Sequence, residues 1–153
     1  MHTMKRQLIT LAALLLLSVL GSSEVWAQNI ELGVHKNKII NGFEAELRGD
    51  YRESNGAPTR LTAQLEHINI PVGTPIAFCI QDSLTLVKTK IGVGKVRLVG
   101  GIPKAEVELR TSDGDPVPKV TVGDKLQARQ NAVAPFKATP GCGTHLLLAG
   151  PFK

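Results

Sequence analysis

Two cysteines and one nearby histidine are the most reactive groups in this chain. Cys142 sits in Pro140-Gly141-Cys142-Gly143-Thr144-His145, with glycine on either side and a histidine three residues on. A thiol beside an imidazole is the pairing that nucleophilic catalysis by cysteine requires. Such a thiol also needs surroundings that lower its pKa, and no feature of the sequence supplies them. Cys79 is the other cysteine. In an oxidising compartment two cysteines most simply form one disulfide. A Cys79–Cys142 bridge would close a loop of about 64 residues, for which loop entropy suggests roughly 4 kcal/mol. The disulfide is the expectation. The alternative is a secreted enzyme using Cys142 and His145, by thiol or metal-assisted chemistry.

Metal and acid–base chemistry find less support. His35, His67 and His145 are too widely spaced for a local ligand motif, and a closed zinc site needs four converging donors. His145 alternates with Leu146 and Leu148 and reads as an outward-facing strand residue. Asp113, Asp115 and Asp124 are the densest carboxylates, yet Thr111-Ser112-Asp113-Gly114-Asp115 lacks the later acidic ligand of a calcium loop and reads as a tight turn. Nucleophile elbow, phosphate loop, Cys-x-x-Cys and His-Glu-x-x-His motifs are missing from the sequence. No cofactor and no catalytic residue is expected.

Residues 1–27 have the form of a secretory leader. Lys5 and Arg6 precede an apolar run of 13 residues, Leu8 to Leu20, and Val25-Trp26-Ala27 ends in a small residue. The run is shorter than the roughly 20 residues that span a bilayer, so cleavage before Gln28 is expected, with no membrane span afterwards. A secreted or periplasmic chain of 126 residues would follow, enough for a single domain over 28–153. The formal charge is +5, of which the leader carries +1. This excess is mild and dispersed, unlike the dense basic footprint of a nucleic-acid binder. Past the leader only Tyr51, Phe43, Phe78, Phe136 and Phe152 are aromatic, few for stacking against sugar rings.

The elements that would carry these groups alternate in polarity. Phe43-Glu44-Ala45-Glu46-Leu47-Arg48 has an apolar residue at every second position, the pattern of a half-buried strand. Leu61, Ala63 and Leu65 repeat it, as do Ile76, Phe78 and Ile80, which puts Cys79 on the face opposite that trio. Further strands are expected at 84–90, 94–99, 104–110, 117–122, 125–130 and 144–149. Residues 30–37 read as a first strand or a tether, and 50–59 as a loop or extended hairpin end. Asn55-Gly56, Gly92-Val93-Gly94, Gly100-Gly101, Asp113-Gly114 and Gly123-Asp124 read as turns. Residues 131–143 read as an irregular surface segment. The expected fold is all-β, an antiparallel β-sandwich, immunoglobulin-like or related, with about eight short strands.

A hairpin turning at Gly100-Gly101 would set Arg97 against Glu106 and Lys95 against Glu108, with Val96 and Leu98 sharing the buried face with Ala105, Val107 and Leu109. If Gly92-Val93-Gly94 turned the preceding hairpin, Lys88, Lys90, Lys95 and Arg97 would form one patch able to hold an anion. A solvated strand face, partly neutralised by Glu106 and Glu108, is the simpler reading of those lysines.

Gly73-Thr74-Pro75-Ile76-Ala77-Phe78-Cys79, Ala105 to Thr111, Gly114-Asp115-Pro116-Val117-Pro118 and Val122-Gly123-Asp124 resemble, together, a type of small secreted bacterial β-sandwich domain of uncharacterised role. Phe43-Glu44-Ala45-Glu46-Leu47 is similar to the opening of chordin-type repeats, without their histidine-bearing strand. These likenesses imply strands and turns and carry no site residue. The functional expectation is a non-enzymatic binding or structural module of the bacterial cell envelope, with another envelope protein or an anionic glycan as partner.

Overall fold

Three two-residue turns organise the first sheet. Asn41-Gly42, Asn55-Gly56 and Gly100-Gly101 all take positive φ, from 50° to 83°. That backbone matches the twist of paired strands, and asparagine and glycine reach it at little steric cost. The turns join strands β1 (Ile30–Ile40) to β2 (Phe43–Ser54), β2 to β3 (Ala57–Glu66), and β6 (Arg97–Val99) to β7 (Ile102–Arg110). In the computed structural model, which describes residues 28–130 and 141–153, these form a five-stranded antiparallel sheet in the order β1-β2-β3-β7-β6. The second sheet contains β4 (Pro75–Gln81), β5 (Lys88–Lys95), β8 (Lys125–Gln130) and β9 (His145–Pro151), in the order β5-β4-β8-β9. The chain is therefore an all-β sandwich of two antiparallel sheets.

Period-two burial follows the alternation. Ala45 and Leu47 are buried while Glu46 and Arg48 point outward, and Leu61, Ala63 and Leu65 behave alike on β3. Tyr51, Leu61 and Leu65 from one sheet meet Ile76, Phe78 and Leu126 from the other in a core that Val120 and Phe152 complete. Each large apolar side chain buried this way contributes about 1.5–3 kcal/mol. At the outer edge of this core, Tyr51 Oη donates to Glu53 Oε2 at 3.0 Å. The other Glu53 oxygen accepts from Lys119 Nζ at 2.8 Å, so the buried carboxylate is neutralised.

The sheets are also stitched at both edges. Only Val96 separates β5 from β6, so one extended segment leaves the four-stranded sheet and enters the five-stranded one. Val96 is buried, donates to Thr74 O at 2.9 Å and accepts from Gly73 N at 2.8 Å. On the far side Gly33 and Lys153 exchange backbone hydrogen bonds of 3.2 and 3.1 Å, tying β1 to the segment after β9. A strand that changes sheets in this way makes the corner of a closed sandwich.

Several expectations are corrected. Gly92-Val93-Gly94 does not turn; it lies inside β5, where a side chain at Gly92 or Gly94 would collide with Val107 or Glu106 of β7. These glycines let two backbones cross closely. Residues 84–90 split into a loop through Val87 and the start of β5. Residues 117–122 form no strand; from that irregular stretch Val120 is buried in the core and Val117 packs against it. The Gly100-Gly101 turn sets Val99 opposite Ile102, so Arg97 opposes Lys104 rather than Glu106, and Leu98 is exposed. Lys95 pairs with Pro75 in the other sheet rather than with Glu108. Residues 30–40 are a true first strand, and 50–59 an extended hairpin end.

Candidate functional site: the charged face of the five-stranded sheet

Residues that alternate with the core positions cover the solvent face of the five-stranded sheet with ordered rows of charge. One row runs Asn37, Glu46, Glu66, Lys104 and Arg97 across β1, β2, β3, β7 and β6. The next runs His35, Arg48, Gln64 and Glu106, and a third Asp50, Thr62 and Glu108. A fourth places Arg52, Arg60 and Arg110 side by side. Like charges directly opposite repel, so this face depends on the diagonal partners each group finds.

Those partners are present. Glu106 accepts from Lys104 at 2.7 Å and is also bridged by Arg97, whose Nη2 reaches it diagonally. The Lys104 hydrogen bond, with Arg97 beside it, holds the Glu106 carboxyl below the ordinary carboxylate range. Glu108 is lowered likewise, first by Arg110 at 2.7 Å and then by Arg60 at 2.8 Å. Glu46 is lowered by Arg48, with His35 adding to the effect, both at 2.6 Å. Arg52 is balanced by Asp50 at 3.4 Å and Glu31 at 3.7 Å.

Where β5 peels away from β7, this face sinks into a cleft of about 550 Å³. Arg60, Thr62 and Gln64 of β3 form one wall; Glu106 and Glu108 of β7 form the floor with Val107, and Lys95 and Arg97 rim the other side. A shallower hollow of about 430 Å³ continues from Thr62 and Gln64 toward Arg48 and His35. One cation in the cleft, Lys95, retains capacity. Lys95 has no ion-pair partner among the described residues. Arg60 Nε is buried and lies 2.8 Å from Glu108, so its charge is committed to that carboxylate. Both carboxylates are lowered, the opposite of the shift a proton-donating acid needs at neutral pH. The arrangement suits holding a polar, anionic group better than transferring a proton.

The sequence-predicted patch divides between two places. Lys95 and Arg97 line the cleft, while Lys88 lies at the other end of β5, seven residues or about 23 Å from Lys95. Lys90 stands between, opposite Cys79. Arg60, Thr62 and Gln64 were invisible as site residues, because only the β3–β7 pairing brings them to Glu106 and Glu108.

Cys79 and Cys142 are joined, with Cα atoms 5.9 Å apart. The bridged Cys142 sulfur cannot serve as a nucleophile, so the thiol branch of the enzyme alternative loses its reactive group. His145 opens β9 and is exposed. The chain around the bridge is held by a polar ladder: Gln127 donates to Gln81 at 2.6 Å, and Arg129 donates to Gln127 at 2.8 Å. Arg129 also reaches the Gly143 and Thr144 carbonyls at 3.2 and 3.4 Å.

Glu46, Glu66 and His67 bring donor atoms within 4.8 Å of one another, a cluster the spacing of the histidines did not suggest. Arg48 and Lys104 already bridge these carboxylates, with His35 beside Glu46, so protein cations occupy the charge a metal would need. The carboxylates at 113–124 are turn residues, as expected. Asp115 accepts the Arg110 N–H at 3.0 Å, and Asp124 caps Ser83 and Thr121 at 2.9 Å each.

Compared with protein-family models, curated proteins and solved structures, the chain matches none. Among the described residues, no helix is long and apolar enough to cross a membrane.

Proposed function

We propose that this chain is an exported, non-enzymatic binding module of the bacterial cell envelope, and that its cleft receives an anionic glycan. The observation that carries the reading is the cleft between β3, β7 and the departing β5. It contains three cations against two carboxylates, and Lys95 has no ion-pair partner among the described residues. Recognition by charge needs no flat aromatic surface, in keeping with the scarcity of such residues.

Export is supported by the character of residues 1–27, which lie outside the described residues, and by the Cys79–Cys142 bridge. Fractionation of the producing cell and N-terminal sequencing test it. A chain starting at Gln28 outside the cytoplasm is the expected product, and one keeping Met1 in the cytosol would overturn that half of the proposal.

Retention on an immobilised anionic polysaccharide, with neutral dextran as control, tests the ligand class. The chain is expected to elute later from the anionic matrix, and retention is expected to fall as salt rises. Lys95→Glu with Arg97→Glu should abolish the difference, whereas Lys88→Glu with Lys90→Glu should reduce it only modestly. Equal sensitivity to both pairs would point to diffuse charge rather than the cleft. Absence of retention would favour a protein partner.

A further inference from the structure

The loop between β4 and β5 turns its N–H groups inward and its apolar side chains outward. Asp82 Oδ1 accepts the Leu84 N–H at 2.9 Å and the Thr85 N–H at 2.6 Å. Asp82 donates its own N–H to Val87 O at 3.0 Å, and Leu86 donates to Asp82 O at 3.1 Å. Ser83 reaches across to Asp124 Oδ1 at 2.9 Å, and Val87 N–H reaches Thr85 Oγ1 at 3.4 Å. Every backbone N–H from Asp82 to Val87 therefore has an acceptor inside the protein.

The apolar side chains face the other way. Leu84 is 91% exposed, Leu86 63% and Val87 61%; Val122, in the turn to which Asp124 ties this loop, is 67% exposed. Unpaired N–H and C=O groups normally keep irregular backbone out of an apolar phase, and here the N–H groups are paired, leaving the outer carbonyls for the headgroup layer. A cluster of large apolar side chains on a pre-shaped loop marks an interaction surface.

The charge around the tip has one sign outward. Lys88 and Lys125 are exposed and pair across the ladders with Gln81 from either side. Asp82 and Asp124, the nearby carboxylates, are turned into the loop and hold its N–H groups. Apolar residues ringed by cations fit a surface that is apolar beneath and anionic above.

We infer that this tip docks on an anionic lipid surface, with Leu84, Leu86, Val87 and Val122 entering the interface and Lys88 and Lys125 meeting the headgroup phosphates. The tip and the glycan cleft have no residue in common, so the inference does not depend on the proposed ligand.

Cosedimentation of residues 28–153 with vesicles tests it; this span has all nine described strands and lacks the apolar run Leu8 to Leu20. The protein is expected to pellet with phosphatidylcholine vesicles containing phosphatidylglycerol and to stay in solution with phosphatidylcholine alone. A Leu84→Ser, Leu86→Ser, Val87→Ser variant should bind about tenfold more weakly or worse. Lys88→Glu with Lys125→Glu should remove the preference for phosphatidylglycerol. Circular dichroism and thermal melting identify variants that fold as the parent does. No binding to the anionic vesicles, or undiminished binding by the folded triple variant, would overturn the proposal. Concentration-dependent dimerisation without lipid, lost in the triple variant while vesicles bind nothing, would also overturn it and assign the tip to a second copy of the chain.

Discussion

Gly94 lies against the peptide of Glu106, so that a Cβ on Gly94 would sit 2.5 Å from the Glu106 carbonyl oxygen and 2.8 Å from its nitrogen. The obstructing atoms are backbone and cannot swing aside. This contact is where β5 crosses β7 at the edge of the cleft. Gly94→Ala is expected to destabilise the protein by about 1–3 kcal/mol, the range of overpacked cores. Gly33→Ala serves as comparison: its nearest atom would be 3.9 Å away, and a change within about 0.5 kcal/mol is expected. Urea midpoints measure both.

Tyr51 is the only tyrosine, so absorbance of the phenolate reports one group. Burial pushes its hydroxyl up to about 12, and the hydrogen bond to Glu53 adds to the shift. The folded value lies above the unfolded value of about 10, so the stability it contributes is complete below that pH and is lost as pH rises toward 12. Folded protein is expected to show a phenol midpoint near 12, and urea-unfolded protein one near 10. A folded midpoint near 10 would contradict the burial of this ring.

Glu46, Glu106 and Glu108 are shifted the other way, each by neighbouring cations. A carboxyl with a depressed folded pKa contributes stability above its unfolded value of about 4.3 and loses it as pH falls through the lower folded value. The urea midpoint should therefore drop between neutral pH and about pH 3, and less steeply in high salt, since these groups are solvent-facing. Glu106→Gln with Glu108→Gln should flatten the acid limb. An unchanged limb would remove these carboxylates from the acid response.

Ellman titration of the native protein is expected to find no free thiol, and titration after reduction and unfolding two. Removing both sulfurs as Cys79→Ala with Cys142→Ala should lower stability by about 2–5 kcal/mol. Arg129→Ala, which removes the hydrogen bonds from Arg129 to the Gly143 and Thr144 carbonyls, should lower it by a smaller amount, about 1 kcal/mol. Two reactive thiols in the native protein would revive Cys142 as a reactive residue.

Much of the fold is legible along the chain because strand burial is a local property. Ala45 to Arg48 and Leu61 to Leu65 alternate in sequence and in burial, whereas every residue from Ile76 to Ile80 is buried. Where alternation failed, a competing contact prevailed. Leu84 and Leu86 alternate with polar neighbours, yet Asp82 folds that stretch into a loop. Gly92 and Gly94 resemble punctuation, because glycine is unusual in strands. Their reason for being there is β7, which lies on another part of the chain.

The sequence by itself determined the all-β class, the inward-facing residues of most strands, the Gly100-Gly101 turn and the pairing of the two cysteines. It also grouped Lys88, Lys90, Lys95 and Arg97 as one possible anion-binding patch, which the fold divides. Only the tertiary structure decided that β5 and β6 belong to different sheets, that Arg97 opposes Lys104, and that Arg60 and Glu108 share a cleft with Lys95. Alternation tells each residue which face to take, since it depends on neighbours two positions away. Which strands adjoin, and in which register, depends on turn geometry and on contacts between distant segments, and those decide which charges meet.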